Sequence, residues 1–165
     1  MSAEVSAAKV SSGRGYGVAC AMDAGTYVAH MAEVEVDRTN GIVQVRRVVC
    51  AQDMGLAINP DGAKLQIEGF ITMGLGYALT EEIHFQDGKI FDLNFDTYEI
   101  PRFSGLPKID AVLIDNKDTP PQGGGEPAIV CMGAVSANAI YDAVGARLYQ
   151  LPMTSERITE AIDKV

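Results

Sequence analysis

The stretch VAHMAEVEVD (28–37), followed by TNG (39–41) and IVQVRRVVCAQD (42–53), decides the fold. Val34 and Val36 alternate with Glu33 and Glu35, the period of a strand with one apolar and one wet face. Asn40-Gly41 favours the left-handed conformations of a tight turn, and Val43 and Val45 then alternate with Gln44 and Arg46 on the return. The pattern predicts an antiparallel hairpin. Upstream, Gly15 to Asp37 reads as one extended, alternating run, and residues 1–12, small and polar, read as a flexible lead-in to a domain over 13–165.

Downstream, Asp53-Met-Gly-Leu-Ala-Ile-Asn59-Pro60 ends the strand, with Asn59 suited to cap a helix and Pro60 to its first turn. Ile67, Phe70, Ile71, Leu75, Ala78 and Leu79 recur at helical spacing, predicting a helix over 60–79. Gly69, Gly74 and Gly76 inside it would each cost about 1 kcal/mol against alanine on a free surface, which predicts close packing on more than one side. At 100° per residue, Gln66 shares a flank with Phe70, Met73 and Tyr77, a polar residue on a flank expected to be buried.

Glu82 to Asp92 reads as a second hairpin turning at Asp87-Gly88, KIDAVLID (108–115) as a strand, and Asn116 to Gly125 as an extended loop. A second helix is expected over 128–149, ended by Leu151-Pro152, and a short one capped by Thr154. The fold class is therefore α+β: a mixed or antiparallel, hairpin-rich sheet packed with two long helices.

The 165 residues, 47% hydrophobic and 21% charged, can bury a sizeable core. Thirteen basic against 22 acidic residues give a net charge of −9, which disfavours nucleic acid and anionic membranes as partners. No run of about 18 apolar residues offers a membrane span. No targeting signal is visible, which makes the cytoplasm the default expectation. Cys20, Cys50 and Cys131 are too scattered for a disulfide framework or a metal cluster made by this chain alone, and no metal-ligand set is expected. His30 and His84 read as strand residues.

Chemistry concentrates at Gly123-Gly124-Gly125-Glu126-Pro127. Glycines let backbone approach a ligand closely, and Pro127 suits a helix start, so Glu126 would stand beside free amides, able to do acid–base work. The same five residues also fit a flexible loop whose acid complements a helix dipole.

LQIEGFITMGLGYALTEEI (65–83), TYEIPRF (97–103) and GGGEPAI (123–129), with the GRGYGVACAMDAGTYVAHMAEVEVD opening (13–37) and DMGLAINP (53–60), resemble the C-terminal part of the molybdenum-binding subunit of the xanthine dehydrogenase and aldehyde oxidase family. The nearest branch is the large, or beta, subunit of isoquinoline 1-oxidoreductase-type enzymes. The resemblance implies hydroxylation of an electron-poor carbon of an N-heteroaromatic ring or aldehyde, with water as the oxygen source. It implies a molybdenum–pterin cofactor, as molybdopterin or its cytosine dinucleotide form, and a molybdenum-cofactor-binding-domain-like fold. By the same resemblance Glu126 is the general base that takes the proton from the attacking hydroxyl. Gln66 hydrogen-bonds near the metal, and the backbones of Gly124 and Gly125 contact the cofactor.

Family subunits are several times longer and pass electrons to iron–sulfur clusters on a partner. The resemblance therefore implies remaining molybdenum-subunit domains, an iron–sulfur subunit and a small-molecule substrate as partners, and a chain inactive alone. The residues after the GEP motif are Ala128-Ile129, so no substrate-facing detail carries over there. The alternative is a non-catalytic binding or assembly module that keeps the fold and self-associates through an apolar helix flank.

Overall fold

The structure, a computed structural model, describes residues 13–165; the expected lead-in over 1–12 lies outside the described residues. Strands β1 (Arg14–Asp23), β2 (Thr26–Val36) and β3 (Val43–Asp53) form an antiparallel meander, and β6 (Lys108–Leu113) joins β3 in parallel. The sheet is thus mixed, in the order β1-β2-β3-β6. A separate two-residue hairpin, β4 (Phe85–Gln86) and β5 (Lys89–Ile90), turns at Asp87-Gly88 as its sequence predicts. Helix α1 (Pro60–Leu79) lies in the crossover between the parallel strands, and α2 (Met132–Val144) and α3 (Ser155–Ile162) follow β6.

The Thr39-Asn40-Gly41 hairpin is present. Gly41 has φ +70°, Asp37 Oδ1 accepts from the Thr39 amide, and Asn40 Oδ1 accepts from the Ile42 amide. Helix α1 begins where predicted: Asn59 Oδ1 accepts from the Gly62 amide at 3.0 Å, with Pro60 in the first turn. Thr154 caps α3 through the Arg157 amide.

Four expectations need correction. The run from Gly15 to Asp37 is two strands, because Ala24 (φ 49°) and Gly25 (φ 79°) form a two-residue turn of the handedness that matches strand twist. The second helix is 13 residues rather than a span of 128–149. A 3-10 turn at Pro127–Ile129 precedes it, and Gly145 in the left-handed region stops it, its amide donating to the Tyr141 carbonyl. One long helix, not two, packs with the sheet. His84 lies just before β4, outside any strand, its ring 2.9 Å from the Asp92 carboxylate. Of the three α1 glycines, Gly74 faces Met132 and Gly76 faces Glu81 and Pro101, but Gly69 opens onto free space.

The core lies on one face of the sheet. Ala32, Val34 and Val36 of β2 and Val45, Val48 and Cys50 of β3 meet Ile67, Ile71 and Leu75 of α1 and Met132, Val135, Ala139 and Ile140 of α2. Small residues on β1 bring α2 down onto the strand: a Cβ on Gly17 would lie 2.1 Å from the Val135 carbonyl oxygen. Two α2 side chains also occupy β1's outer edge, as Asp142 accepts from the Tyr16 amide and Asn138 donates to the Val18 carbonyl, both near 3 Å. Pro127–Val144 has the length and composition of a membrane span, but more than half of it is buried inside the protein, as in a core helix.

Candidate functional site

The site forms where the turn after β1, the end of β3 and the proline–glycine loop before α2 meet. The loop is clamped along its length rather than loose. Ile114 N–H donates to Gln52 O, Leu56 N–H to Thr119 O and Gln122 N–H to Met54 O, each at 2.9 Å. Asn116 donates to both oxygens of Asp53, which also caps the Gly55 amide. At the glycines, Gly123 N–H donates to Ala24 O at 3.1 Å, and the buried Thr26 hydroxyl donates to Gly123 O at 2.5 Å. Two segments more than 60 positions away in sequence thus fix a stretch that has no secondary structure of its own.

The loop's crowding explains its composition. A Cβ on Gly123 would meet the Ala24 side chain at 2.5 Å, and one on Gly124 would meet the Met54 methyl at 2.3 Å. A Cβ on Gly125 would face open space, with none of the described residues within 4 Å.

A groove of about 380 Å³ runs between this loop and α1, lined among others by Met54, Asn59, Gly62, Gln66, Gln122 and Gly124. Gln66 and Gly124 therefore come together across one groove. Gln66 is exposed rather than buried, as is Met73, while Phe70 and Tyr77 on the same flank are half-buried. Gly125 and Glu126 follow Gly124 immediately, are exposed, and are not among the groove's lining residues. Glu126 makes no side-chain capping bond to the 3-10 turn that starts at Pro127.

Sequence reasoning missed Gln52, Thr26 and Met54. Gln52 is fully buried at the end of β3, its Nε2 3.5 Å from Gly124 O and 3.7 Å from Met54 Sδ, and its Oε1 has no partner. The available signal was parity: Val48, Cys50 and Gln52 share the inward face of one strand, so a glutamine there stands where an apolar residue is expected.

The donor set fits an organic ligand better than a bare ion. The groove offers the amides of Gln66, Asn59 and Gln122 and glycine backbone, all suited to a planar heterocycle rich in hydrogen-bonding atoms. Among the described residues no three His, Cys, Asp or Glu side chains stand close enough to hold a metal. Burial pushes the Cys50 thiol up to about 12 and the Cys131 thiol up to about 11, so both stay protonated and unreactive near neutral pH.

A family profile described as molybdopterin cofactor-binding domain matches residues 3–107, and the chain belongs to that family. Within it the chain is of the type found in molybdenum-binding subunits of the xanthine dehydrogenase and aldehyde oxidase family. It is 38% identical over 136 residues to a subunit of the nicotinate dehydrogenase of Pseudomonas putida, a match covering 82% of this chain and 12% of that one. The beta subunit of the isoquinoline 1-oxidoreductase of Brevundimonas diminuta is 33% identical over 141 residues, covering 86% and 18%. The crystal structure of quinoline 2-oxidoreductase from Pseudomonas putida 86 superposes with a TM-score of 0.78 at 28% identity, covering 84% of this chain and 19% of that one. The chain thus spans less than a fifth of the length of each of these three relatives.

Proposed function

We infer that this chain is the cofactor-binding, base-bearing portion of a molybdenum hydroxylase that oxidises an N-heteroaromatic ring carbon or an aldehyde with water as the oxygen source. The observation that carries this reading is the groove that brings Gln66 and Gly124 together with Glu126 two residues beyond. The Gln66 amide and the Gly124 backbone that line it, with the neighbouring backbone of Gly125, would hold the molybdenum–pterin group, as molybdopterin or its cytosine dinucleotide. When bound, that group supplies two-electron redox chemistry. Glu126 accepts a proton at its carboxylate as the water-derived oxygen attacks the substrate carbon. Its exposure, two residues beyond Gly124 in sequence, leaves it open to a substrate delivered by polypeptide outside this chain.

Three relatives are named for nicotinate, isoquinoline and quinoline, which favours a nitrogen heterocycle as the substrate class. Residues beyond this chain then complete the pocket, and an iron–sulfur partner takes the electrons, so the chain alone does not turn over. The test is Glu126→Gln in the assembled enzyme: hydroxylation is lost while molybdenum content is unchanged. Retained turnover refutes the assignment.

A second reading rests on the exposed apolar flank of α1, where Leu65 and Met73 are uncovered. There the fold serves as a self-associating assembly module. Native mass and molybdenum content of the complex isolated from its own cells separate the two: a large, molybdenum- and iron-containing complex supports the enzyme, a small metal-free oligomer the module.

A further inference from the structure

We propose that Gln52 is a positioning residue that, by holding the Gly124 carbonyl, sets the orientation of the Gly125–Glu126 segment; this rests on the reading of Glu126 as the base. Gln52 continues the inward series Val48, Cys50 on β3 and is fully buried. An apolar side chain would satisfy that position without stranding a polar atom. Instead an amide sits there with its NH₂ toward Gly124 O at 3.5 Å and toward Met54 Sδ, and its oxygen unpartnered. The reversed amide would set oxygen against the Gly124 carbonyl oxygen, a repulsive contact, so the NH₂ belongs on the side of the loop. A buried amide kept at the expense of a bare oxygen is explained by what its NH₂ does.

The place of the grip matters. The Gln122 and Gly123 amides donate to Met54 O and Ala24 O, the Thr26 hydroxyl donates to Gly123 O, and Gln52 adds the last hold before Glu126. Beyond it lies Gly125, which faces open space, and then Glu126, whose carbonyl accepts from Ile129 N–H at the next turn. Release of Gly124 would free two successive glycine peptides to rotate, and the carboxylate would swing with them. At 3.5 Å the grip is weak in this chain, which suits a hinge set by its last contact rather than a rigid brace.

Gln52→Met keeps the volume and removes the donor. In the full chain, amide hydrogen exchange at Gln122 and Gly123, whose N–H groups donate to Met54 O and Ala24 O beside the grip, is expected to rise about tenfold, with core amides of β2 and β3 unchanged. Val48→Ala, on the same face of the same strand, is the control for general loosening and raises exchange throughout the sheet. In the assembled enzyme Gln52→Met lowers kcat with KM and molybdenum content preserved. Exchange at these two loop amides that is unchanged, or that rises only together with the core as in Val48→Ala, overturns the proposal. If the loop loosens but Glu126→Gln remains active, positioning stands and the role assigned to Glu126 falls.

Discussion

The Thr26 hydroxyl lies 2.5 Å from the Gly123 carbonyl oxygen, tying the first residue of β2 to the glycine run that leads to α2. Thr26 is fully buried, so its hydroxyl has no water to turn to, and Gly123 N–H is committed to Ala24 O beside it. Thr26→Val conserves shape and deletes the donor, leaving the carbonyl of half-buried Gly123 without this partner. The expected loss is about 1–3 kcal/mol in urea unfolding, and Thr26→Ser should recover much of it. Equal stability of the valine and wild-type chains would mean that the loop is held elsewhere.

Glycines of this chain divide by what surrounds them. A Cβ on Gly17 would stand 2.1 Å from the Val135 carbonyl oxygen and 2.6 Å from the Ala139 nitrogen, so Gly17→Ala must lift α2 off β1. That is expected to lower stability by on the order of 3 kcal/mol. Gly69, exposed in the middle of α1 with nothing within 4 Å, should behave oppositely, Gly69→Ala adding about 0.5–1 kcal/mol through helix propensity. Thermal melts of the two variants check the contrast, and its sign is the result that matters.

Local rules made much of this fold legible. Asn40-Gly41 and Asp87-Gly88 carry their turns in their own backbone preferences, and Asn59-Pro60 marks a helix start whose cap bond is present. The turn at Ala24-Gly25 was hidden because alternation runs on past it on both sides and alanine at positive φ is unusual. The extent of α2 was hidden because apolar composition continues through Ala146 and Leu148, which are buried in the core without being helical. Resemblance to a family motif singled out Gln66 and Gly124, and the structure sets the two across one groove. Gln52 and Thr26 were not legible, since their meaning depends on a loop that reaches them from some 70 or more residues away.

His30 gives the fold a pH dependence whose sign is fixed. It sits inward on β2, opposite Ala19 and Cys50, with neither ring nitrogen hydrogen-bonded, and burial lowers its pKa to about 4 from 6.5. The folded chain keeps His30 neutral while the unfolded chain takes up a proton below pH 6.5. Stability is therefore complete above pH 6.5 and falls as pH drops toward 4, by on the order of 3 kcal/mol across that window. Lowered carboxyl groups such as Asp110 and Glu156 also lose stability on acidification, so the wild type must be compared with His30→Leu. The difference between their urea-unfolding free energies should change across this window; a constant difference would refute the histidine's part.

Gln66 tests whether the groove is a binding site or only a surface. The residue is exposed on α1, lines the groove beside Gly124, and makes no side-chain hydrogen bond among the described residues that would be lost on truncation. Gln66→Ala should therefore leave the stability of the chain within about 0.5 kcal/mol of wild type, as for an ordinary surface position. In the assembled enzyme the same substitution should lower the molybdenum and pterin retained per subunit, or kcat where retention holds, because the amide's partner is then the ligand. Unchanged retention and wild-type kinetics would return Gln66 to the solvent. A large loss of stability in the chain alone would instead show that the amide serves the fold.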